Sequence, residues 1–522
     1  MPSLFDRLCE SRGWTGGMPY NVGNPIVTGR PPNWDTMLDN LIRIHNEQSL
    51  VVIYPDFDCD GIMSGVTLHA GLSLLEFKVG LMVPDNHMGY GMPPEGVDLL
   101  RFRFQNDMTP HTTIITCDMG ISEFEGINHS NSMGIDVLVT DHHQPANTLP
   151  NAKCIVDPQL APHCGMEIAC GARVAYTLVC DLAKRMGRFD INQALSDLAV
   201  FAAIGTVSDV MEMRAENHEL VKRGIEVLDG LAGCEVPHVG NRVFDNAFEG
   251  LFQLIAAIGV EQGQITDETI SFNIAPILNS PRRLGEDVAV VFDQFAGCDN
   301  ALSLIKMNER RRQLTSDIVD ALSEAKQPYA PYVYVGDVPA TMAGLVANKL
   351  MRASGKPTVV LDARTLGGSG RSPYDVRKML VNAGISAHGH EQAFGCSCAD
   401  AAELSHLLIR INVSHVPAAR TAPTVTSGEL ADADLAGLWL TLDLLAPFGK
   451  GFERPQFHLV IDKADVDHVS ALSGGKHQKV ILKSGIEVLE FNCTTPEFDL
   501  MAHLDRSTWG GSVRYEFVRV GE

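Results

Sequence analysis

Four short segments bring together residue types that hold divalent cations: Asp56-Phe-Asp58-Cys-Asp60-Gly61, Asp118, Asp141-His142-His143 and Asp209. Three acids on alternate residues repel one another unless a cation neutralises them. The first segment opens like a calcium loop, but its twelfth position, where such a loop carries a glutamate, is Thr67. Aspartates also initiate turns through their own backbone hydrogen bonds, so this segment alone leaves a structural role open. Tandem histidines beside a carboxylate suit Mn2+ better than Ca2+, the plain alternative being two histidines in a polar loop. Asp118 by itself says little, and Asp209 also reads as a helix-end cap. The first three segments offer five carboxylates and two imidazoles, and Asp209 adds a sixth carboxylate. That is enough for two divalent ions about 3.5–4 Å apart, the arrangement that performs in-line displacement at phosphorus. The residue types therefore point to a metal-dependent phosphodiesterase.

The elements that must position these groups are legible around them. The first three segments each follow a run of buried-strand character: 49–54 (SLVVIY), 112–116 (TTIIT) and 136–140 (DVLVT), with a further run at 154–156. Near-continuous β-branched runs suit parallel strands covered on both faces. Residues 61–77 read as a crossover helix, which makes this part a doubly wound α/β fold whose ligands bind beyond the carboxyl ends of the strands. Helices dominate 172–231. Residues 299–327 form one long helical stretch with Asp299 as a cap and Pro328 as its stop. A second α/β segment follows, with strands at YVYVGD and PTVVLD and a helix through 345–352. Residues 416–425 read as a linker, and the last hundred alternate in short β-like runs such as 457–461 and 479–482, as in a small barrel.

At 522 residues the chain is long enough for three or four domains. With 45% hydrophobic and 20% charged residues it has the composition of a folded globular protein. The N-terminal segment lacks a secretory h-region, and the longest apolar run, 198–207, is too short to span a bilayer. Twelve cysteines without a CxxC pair predict a reduced, cytoplasmic setting. A net charge of −23 argues against a nucleic-acid partner, yet 301–390 carries 12 Lys and Arg against 7 Asp and Glu. That local excess leaves room for a nucleic-acid groove or for a chance fluctuation.

The order DxDxDG, DxG, DHH, GTVxD resembles the signature of the DHH phosphoesterases, in the version found in RecJ-type single-stranded-DNA exonucleases. Further segments carry the likeness: Phe272-Asn-Ile-Ala-Pro276 with Asn279 and Arg283, Asn308-Glu-Arg-Arg-Arg312, Gly344-Leu-Val-Ala-Asn-Lys-Leu350, Gly368-Ser-Gly-Arg-Ser372, Gly389-His390 to Gly395, and Ala446-Pro-Phe-Gly-Lys-Gly-Phe452 with Phe457. The resemblance implies a DHH catalytic domain over 1–298, a connecting helix over 299–327, a DHH-associated α/β domain over 328–415 and an OB-fold-like nucleic-acid-binding domain over 416–522. It implies Asp58, Asp60, Asp118, His142 and Asp209 as ligands of two Mn2+ or Mg2+ ions, a register that rests on Ser64 four residues after Asp60. Asp56 becomes auxiliary, Asp141 orients a neighbouring histidine, and His143 faces the scissile phosphate or the attacking water. Ser369 and Arg371 suit a phosphate clamp, His390 is expected to approach the metals, and Asn279 and Arg283 to bind substrate. Arg310–Arg312 either track a nucleic-acid backbone or form a solvated face. Phe448, Phe452 and Phe457 are candidates for stacking on bases or for core.

The implied activity is a 5′→3′ exonuclease that degrades single-stranded DNA to mononucleotides in DNA repair or recombination. A helicase or single-strand-binding protein is a candidate for delivering substrate. Two other readings carry different consequences. One is a DHH enzyme for short oligonucleotides or cyclic dinucleotides, whose members lack the PFGxG-plus-barrel ending. The other is a silenced scaffold subunit, whose members lose metal ligands that this chain keeps. The chain departs from the family pattern in several places. Tyr54-Pro55 stands before the first aspartate, and His87 stands near Gly89-Tyr-Gly91 where an arginine is expected. Ile277 and Arg282 replace an arginine and a glycine, and His388 replaces a glycine. All of these lie where a strand and its ends would be gripped.

Overall fold

The computed structural model describes residues 3–14, 29–83, 88, 91–389, 391–415, 422–491, 493–509 and 512–520. They fall into two compact units: Asn21–Arg311 with Pro447–Phe452, and Met1–Tyr20 with Arg312–Ala446 and Glu453–Glu522. His390, His87 and 416–421 of the expected linker lie outside the described residues.

The first unit is built on a parallel sheet of β1 (Leu50–Pro55), β2 (Lys78–Leu81), β3 (Thr113–Cys117), β4 (Asp136–Thr140) and β5 (Cys154–Val156), in the order β2-β1-β3-β4-β5. Every residue of β1, β3 and β5 is buried, as their apolar runs require. The edge strand β2 has no counterpart in the sequence reading, because KVGL is short and pairs on one side only. Helix α1 (Leu4–Arg12) precedes this unit in the chain, and α2 (Trp34–Asn46), α3 (Cys59–Leu74), α4 (Pro94–Phe104) and α5 (Phe124–Ser132) alternate with its strands. An all-helical layer follows: α6 (Gly171–Arg185), α7 (Asn192–Ser208), α8 (Glu216–Ala232) and α9 (Arg242–Ile258).

Helix α3 is apolar nearly all round and packs on α6, α7 and α9, the pattern of a helix enclosed by others. The apolar run of α7 has the same cause: it is enclosed by α3, α6 and α8. Buried Arg173 ties α6 to α8 through Asn217 Oδ1 (2.6 Å) and Glu216, while Asn217 Nδ2 donates to the carbonyls of Ile168 and Glu212.

Residues 267–284 run through α10 (Asp267–Thr269), a π turn at Ile270–Ile274, α11 (Ala275–Leu278) and α12 (Ser280–Leu284). After α13 (Ala289–Phe295), the long helix α14 (Ala301–Glu324) leaves this unit at Arg311 and continues as part of the other.

In the second unit, β6 (Val333–Gly336), β7 (Thr358–Asp362), β8 (Gly367–Arg371), β9 (Ser386–Gly389) and β10 (Ala393–Ser397) form a mixed sheet in the order β6-β7-β8-β10-β9. Helices α15 (Ala340–Ser354), α16 (Arg377–Asn382) and α17 (Ala401–Ser414) accompany it. Its core holds Val333, Val359, Leu361, Phe394, Leu404 and Leu408. A seven-stranded sheet follows: β11 (Thr424–Thr426), β12 (Phe457–Val460), β13 (Val466–Leu472), β14 (His477–Leu482), β15 (Glu487–Glu490), β16 (Asp499–Trp509) and β17 (Ser512–Arg519). Its order is β11-β12-β16-β17-β15-β14-β13. Helices α18 (Ser427–Ala431) and α19 (Leu435–Asp443) lie between β11 and β12 in sequence. The strand at 424–426 takes up part of the expected linker.

Two expectations are corrected here and one open alternative is decided. Helix α1, placed by the sequence division in the catalytic domain, belongs to the second unit: it packs on α19, and Arg7 pairs with Glu429 at 2.7 Å. The PFGKGF segment, which the resemblance puts in the OB-fold-like domain, belongs to the first unit. There the Met213 amide donates to the Lys450 carbonyl (2.7 Å) and the Phe448 amide to Asp267 (3.3 Å). Of the two roles open to Phe448, Phe452 and Phe457, stacking on bases or core, the structure gives core. All three are buried, Phe448 against Phe452 and Phe457 edge-on to Phe517.

Candidate metal centre

The sheet sets the acids side by side. Each acid's amide continues the ladder one residue past its strand: Asp56 donates to Cys117 O, Asp118 to Thr140 O and Asp141 to Val156 O, each at 3.1 Å. Four strand ends are thereby locked in one row at the carboxyl edge, where ligands of parallel sheets bind. Asp209 joins them from the C-terminal end of α7.

His142 Nε2 is the hub. It lies 3.0 Å from Asp118 Oδ1, 3.6 Å from Asp60 Oδ2 and 3.8 Å from Asp209 Oδ2. Two further sets have ligand atoms within 4.8 Å of one another: Asp118 with His142 and His143, and Asp56 with Asp58 and Asp118. All seven candidate groups are thus brought together. Asp60 is fixed by a long-range contact, since its oxygens accept the amides of Gly171 (2.7 Å) and Ala172 (3.0 Å) at the N-terminus of α6, where helix polarity favours negative charge. Asp58 caps α3, its Oδ1 accepting the amides of Asp60 and Gly61, which leaves Oδ2 toward the cluster's rim. Asp56, expected to be auxiliary, is buried and, like Asp58, has a ligand atom within 4.8 Å of one on Asp118.

Asp141 is not available to a metal. Its Oδ1 accepts the amides of His142 and His143 and touches His143 Nδ1 at 2.8 Å, and its Oδ2 accepts the Ile121 amide. It therefore orients His143 rather than His142. Burial alone would depress the His143 pKa, but the hydrogen bond and charge of Asp141, with Asp209 and Asp56 behind it, raise it to about 9. His143 stands as a protonated donor at the partly open rim. Burial instead lowers the pKa of His142 and keeps it a neutral ligand-type imidazole.

The donor set fits divalent cations. Burial first, and then the mutual charges of the aspartates, push Asp118 and Asp209 well above the ordinary carboxylate range and Asp56 to about 7. Asp118 Oδ1 is buried and receives no aligned hydrogen bond among the described residues. Carboxylates packed in this way require positive charge. The consequence for pH has a definite sign. Asp56 in the folded chain retains a proton up to about 7, whereas its ordinary value is 3.8. Stability in the presence of a chelator is therefore expected to fall as pH rises from about 4 to about 7. Mn2+ takes deprotonated ligands, so the gain in unfolding temperature on adding it is expected to be larger at pH 7.5 than at 5.5. Thermal denaturation in both buffers checks this, and an increment independent of pH refutes it.

The remaining expected residues are placed less directly. Asn279 Oδ1 accepts the Cys59 amide at 3.1 Å, so it steadies the first acidic segment, and Arg283 lies beside it on α12. Ser369 and Arg371 lie on β8 of the second unit, within a strand rather than a glycine-rich loop, and two residues apart they share one face. Sequence reading missed Gly171 and Gly205, where an added Cβ would stand 2.5 Å from Asp118 and 2.3 Å from Asp60. Their only sequence signal was proximity to a motif, Gly205 being the glycine of GTVSD. Arg282 was visible solely as a departure from the family pattern.

Residues 50–206 match the N-terminal domain of the DHH family. The part of the chain that seats the acidic cluster thus carries a DHH-family N-terminal domain. The chain is 26% identical over 500 residues to the single-stranded-DNA-specific exonuclease RecJ of Bacillus subtilis, covering 87% of this chain and 58% of that protein. It is 27% identical over 484 residues to the RecJ of Thermus thermophilus, covering 89% and 67%. The chain thus spans roughly three fifths to two thirds of the length of these relatives. The crystal structure of Thermus thermophilus RecJ in complex with Mn2+ matches with a TM-score of 0.75 at 22% identity, over 98% of this chain and 74% of that one, so the fold is shared.

Proposed function

We propose that this chain is a two-metal-dependent 5′→3′ exonuclease that hydrolyses single-stranded DNA to mononucleotides in the cytoplasm, in DNA repair or recombination. The observation that carries the reading is the convergence of Asp60, Asp118 and Asp209 on His142 Nε2, with His143 held at the rim by Asp141. The relatives named as single-stranded-DNA-specific exonucleases, and the Mn2+ in the Thermus structure, support it. Mn2+ or Mg2+ bound here would supply charge neutralisation at the phosphate and water of lowered pKa. Asp58, Asp60, Asp118, His142 and Asp209 hold the ions, with Asp56 in reserve beside Asp58. His143, protonated and aimed by Asp141, donates toward the phosphate or the departing oxygen. Ser369 and Arg371 offer a hydroxyl and a guanidinium to a phosphate of the strand. His390 is carried in that group on sequence grounds, and the C-terminal sheet is proposed as strand-binding surface. Delivery of substrate by a helicase or single-strand-binding protein belongs to the same proposal.

The test compares 5′-labelled and 3′-labelled single strands of DNA and of RNA, a blunt duplex and a cyclic dinucleotide, all with Mn2+ and with His142→Ala as control. Early release of a labelled mononucleotide from the 5′-labelled DNA strand alone is expected. Degradation confined to two- or three-nucleotide substrates would overturn the exonuclease reading, and activity surviving in His142→Ala would overturn the metal assignment.

A further inference from the structure

Arg282 occupies a place that neither the metal cluster nor the fold explains. It sits on α12, and its Nη1 lies 3.5 Å from Asp58 Oδ2. Its guanidinium stacks 4.7 Å over the ring of Phe57, between the first two aspartates of the acidic segment. Both ends of the ion pair are partly open, at 27% and 37% side-chain exposure. Its charge also reaches Asp56, and with five N–H donors the guanidinium has capacity for a further acceptor. The position where the family pattern carries an arginine, 277, is here a buried isoleucine, and the cation stands five residues on at the surface of the same helical segment. Asn279 grips the Cys59 amide from that segment, so the backbone carrying Arg282 is fixed against the loop that holds the aspartates.

We propose that Arg282 is a two-position cation: it neutralises Asp58 until the cluster takes up divalent ions, and then presents its guanidinium to a non-bridging phosphate oxygen of the substrate strand. The electrostatics favour the exchange. Once Asp58 Oδ2 faces a dication, its attraction for the guanidinium is cancelled and the ion repels it. Stacking on Phe57 is untouched by that event and keeps the group at the rim, a contact of about 0.5–1 kcal/mol for a partly exposed pair. A phosphate entering beside the metals is a stronger partner, because guanidinium–phosphate bonds are charge-assisted on both sides. No bond is made or broken by Arg282. It is a substrate-binding residue, and through Asp58 it also tunes how readily the metals bind.

The inference rests on the exonuclease reading for its substrate half only, and the test separates the two. Arg282→Met keeps an aliphatic stem over Phe57 and removes the charge. In calorimetric titration without nucleic acid, it is expected to bind Mn2+ about 2- to 5-fold more tightly than wild type, the range a partly exposed ion pair supports. With single-stranded DNA its KM is expected to rise about 10- to 100-fold with a smaller change in kcat, as for a lost charge-assisted bond. The slope of log affinity against log salt should shrink by about 0.7, the contribution of one phosphate contact to a single strand. Arg282→Lys should restore the slope but not the full KM. Opposite signs on metal and strand are the signature. If Arg282→Met weakens both, the residue merely props the loop, and if it changes neither, it is a solvated surface charge. Either result overturns the proposal. A wild-type protein that ignores single-stranded DNA would sink the exonuclease reading and, with it, the phosphate half. The Mn2+ titration would still decide the Asp58 half.

Discussion

Asp118→Asn is expected to remove activity and, in the same protein, to raise the unfolding temperature measured with a chelator. The two effects have one cause. Asp118 is 2% exposed, and burial with the charges of Asp60, Asp58, Asp56 and Asp209 drives its carboxyl well above its ordinary pKa. Without cations a neutral side chain is therefore preferred at this position. Asparagine is also conformationally suited: the residue has φ of 61°, in the left-handed region that asparagine tolerates better than most residues. With cations the sign inverts, because an amide is a poor ligand for a hard ion. A metal supplies several kcal/mol of charge stabilisation in the transition state, and losing about 4 kcal/mol corresponds to about 10³-fold in rate. The expected result is activity reduced by about that factor, a higher unfolding temperature in chelator and a much smaller gain on adding Mn2+. Differential scanning calorimetry with and without Mn2+, beside a nuclease assay, reads all three. A variant destabilised in chelator would show that Asp118 is held by its contacts rather than strained by its charge.

Gly205→Ala is expected to act at the same centre with the opposite effect on stability in chelator. An added methyl would stand 2.3 Å from Asp60 Oδ1 and 2.6 Å from the Ala172 side chain. Asp60 cannot simply turn aside, since its two oxygens are held by the Gly171 and Ala172 amides. Either the carboxylate gives up the N-terminus of α6 or α6 moves from α7. Overpacking of this kind costs about 1–3 kcal/mol, and displacing a group that fixes a metal site costs roughly 10–100-fold in metal affinity. A lower unfolding temperature with weakened Mn2+ binding is expected, with the far-ultraviolet circular dichroism unchanged. Gly428→Ala is the matched control, because a methyl there meets nothing within 4 Å. Equal behaviour of the two variants would remove Gly205 from the site.

The chemistry was legible in the sequence because metal-binding groups are short, polar and set at strand ends, where local pattern is strongest. The runs at 49–54, 112–116, 136–140 and 154–156 named four of the five strands of the sheet that seats the acids, and Asp60, Asp118, His142 and Asp209 do converge. The apolar run 198–207 likewise marked a core helix. Other features depend on contacts between residues far apart in the chain, which spacing cannot encode. Asp60 is fixed by amides 111 and 112 positions away. Helix α1 and the PFGKGF segment each join a unit remote from their sequence neighbours. Aromatic residues compatible with stacking or with core went to the core, since burying a large apolar ring is worth more than exposing it.

Residue types and their spacing set the inventory of this protein: which carboxylates and imidazoles exist, that they follow parallel strands, and that their number suits two cations. What each atom does follows from long-range packing. It commits Asp58 Oδ1 to capping α3 and Asp141 to His143 and the amides of His142 and Ile121, leaves Asp118 Oδ1 with no aligned hydrogen bond among the described residues, and sets Arg282 against Asp58. The physical reason is that a residue's type fixes its possible bonds, whereas the partners that consume those bonds are supplied by whichever backbone the fold brings within 3 Å.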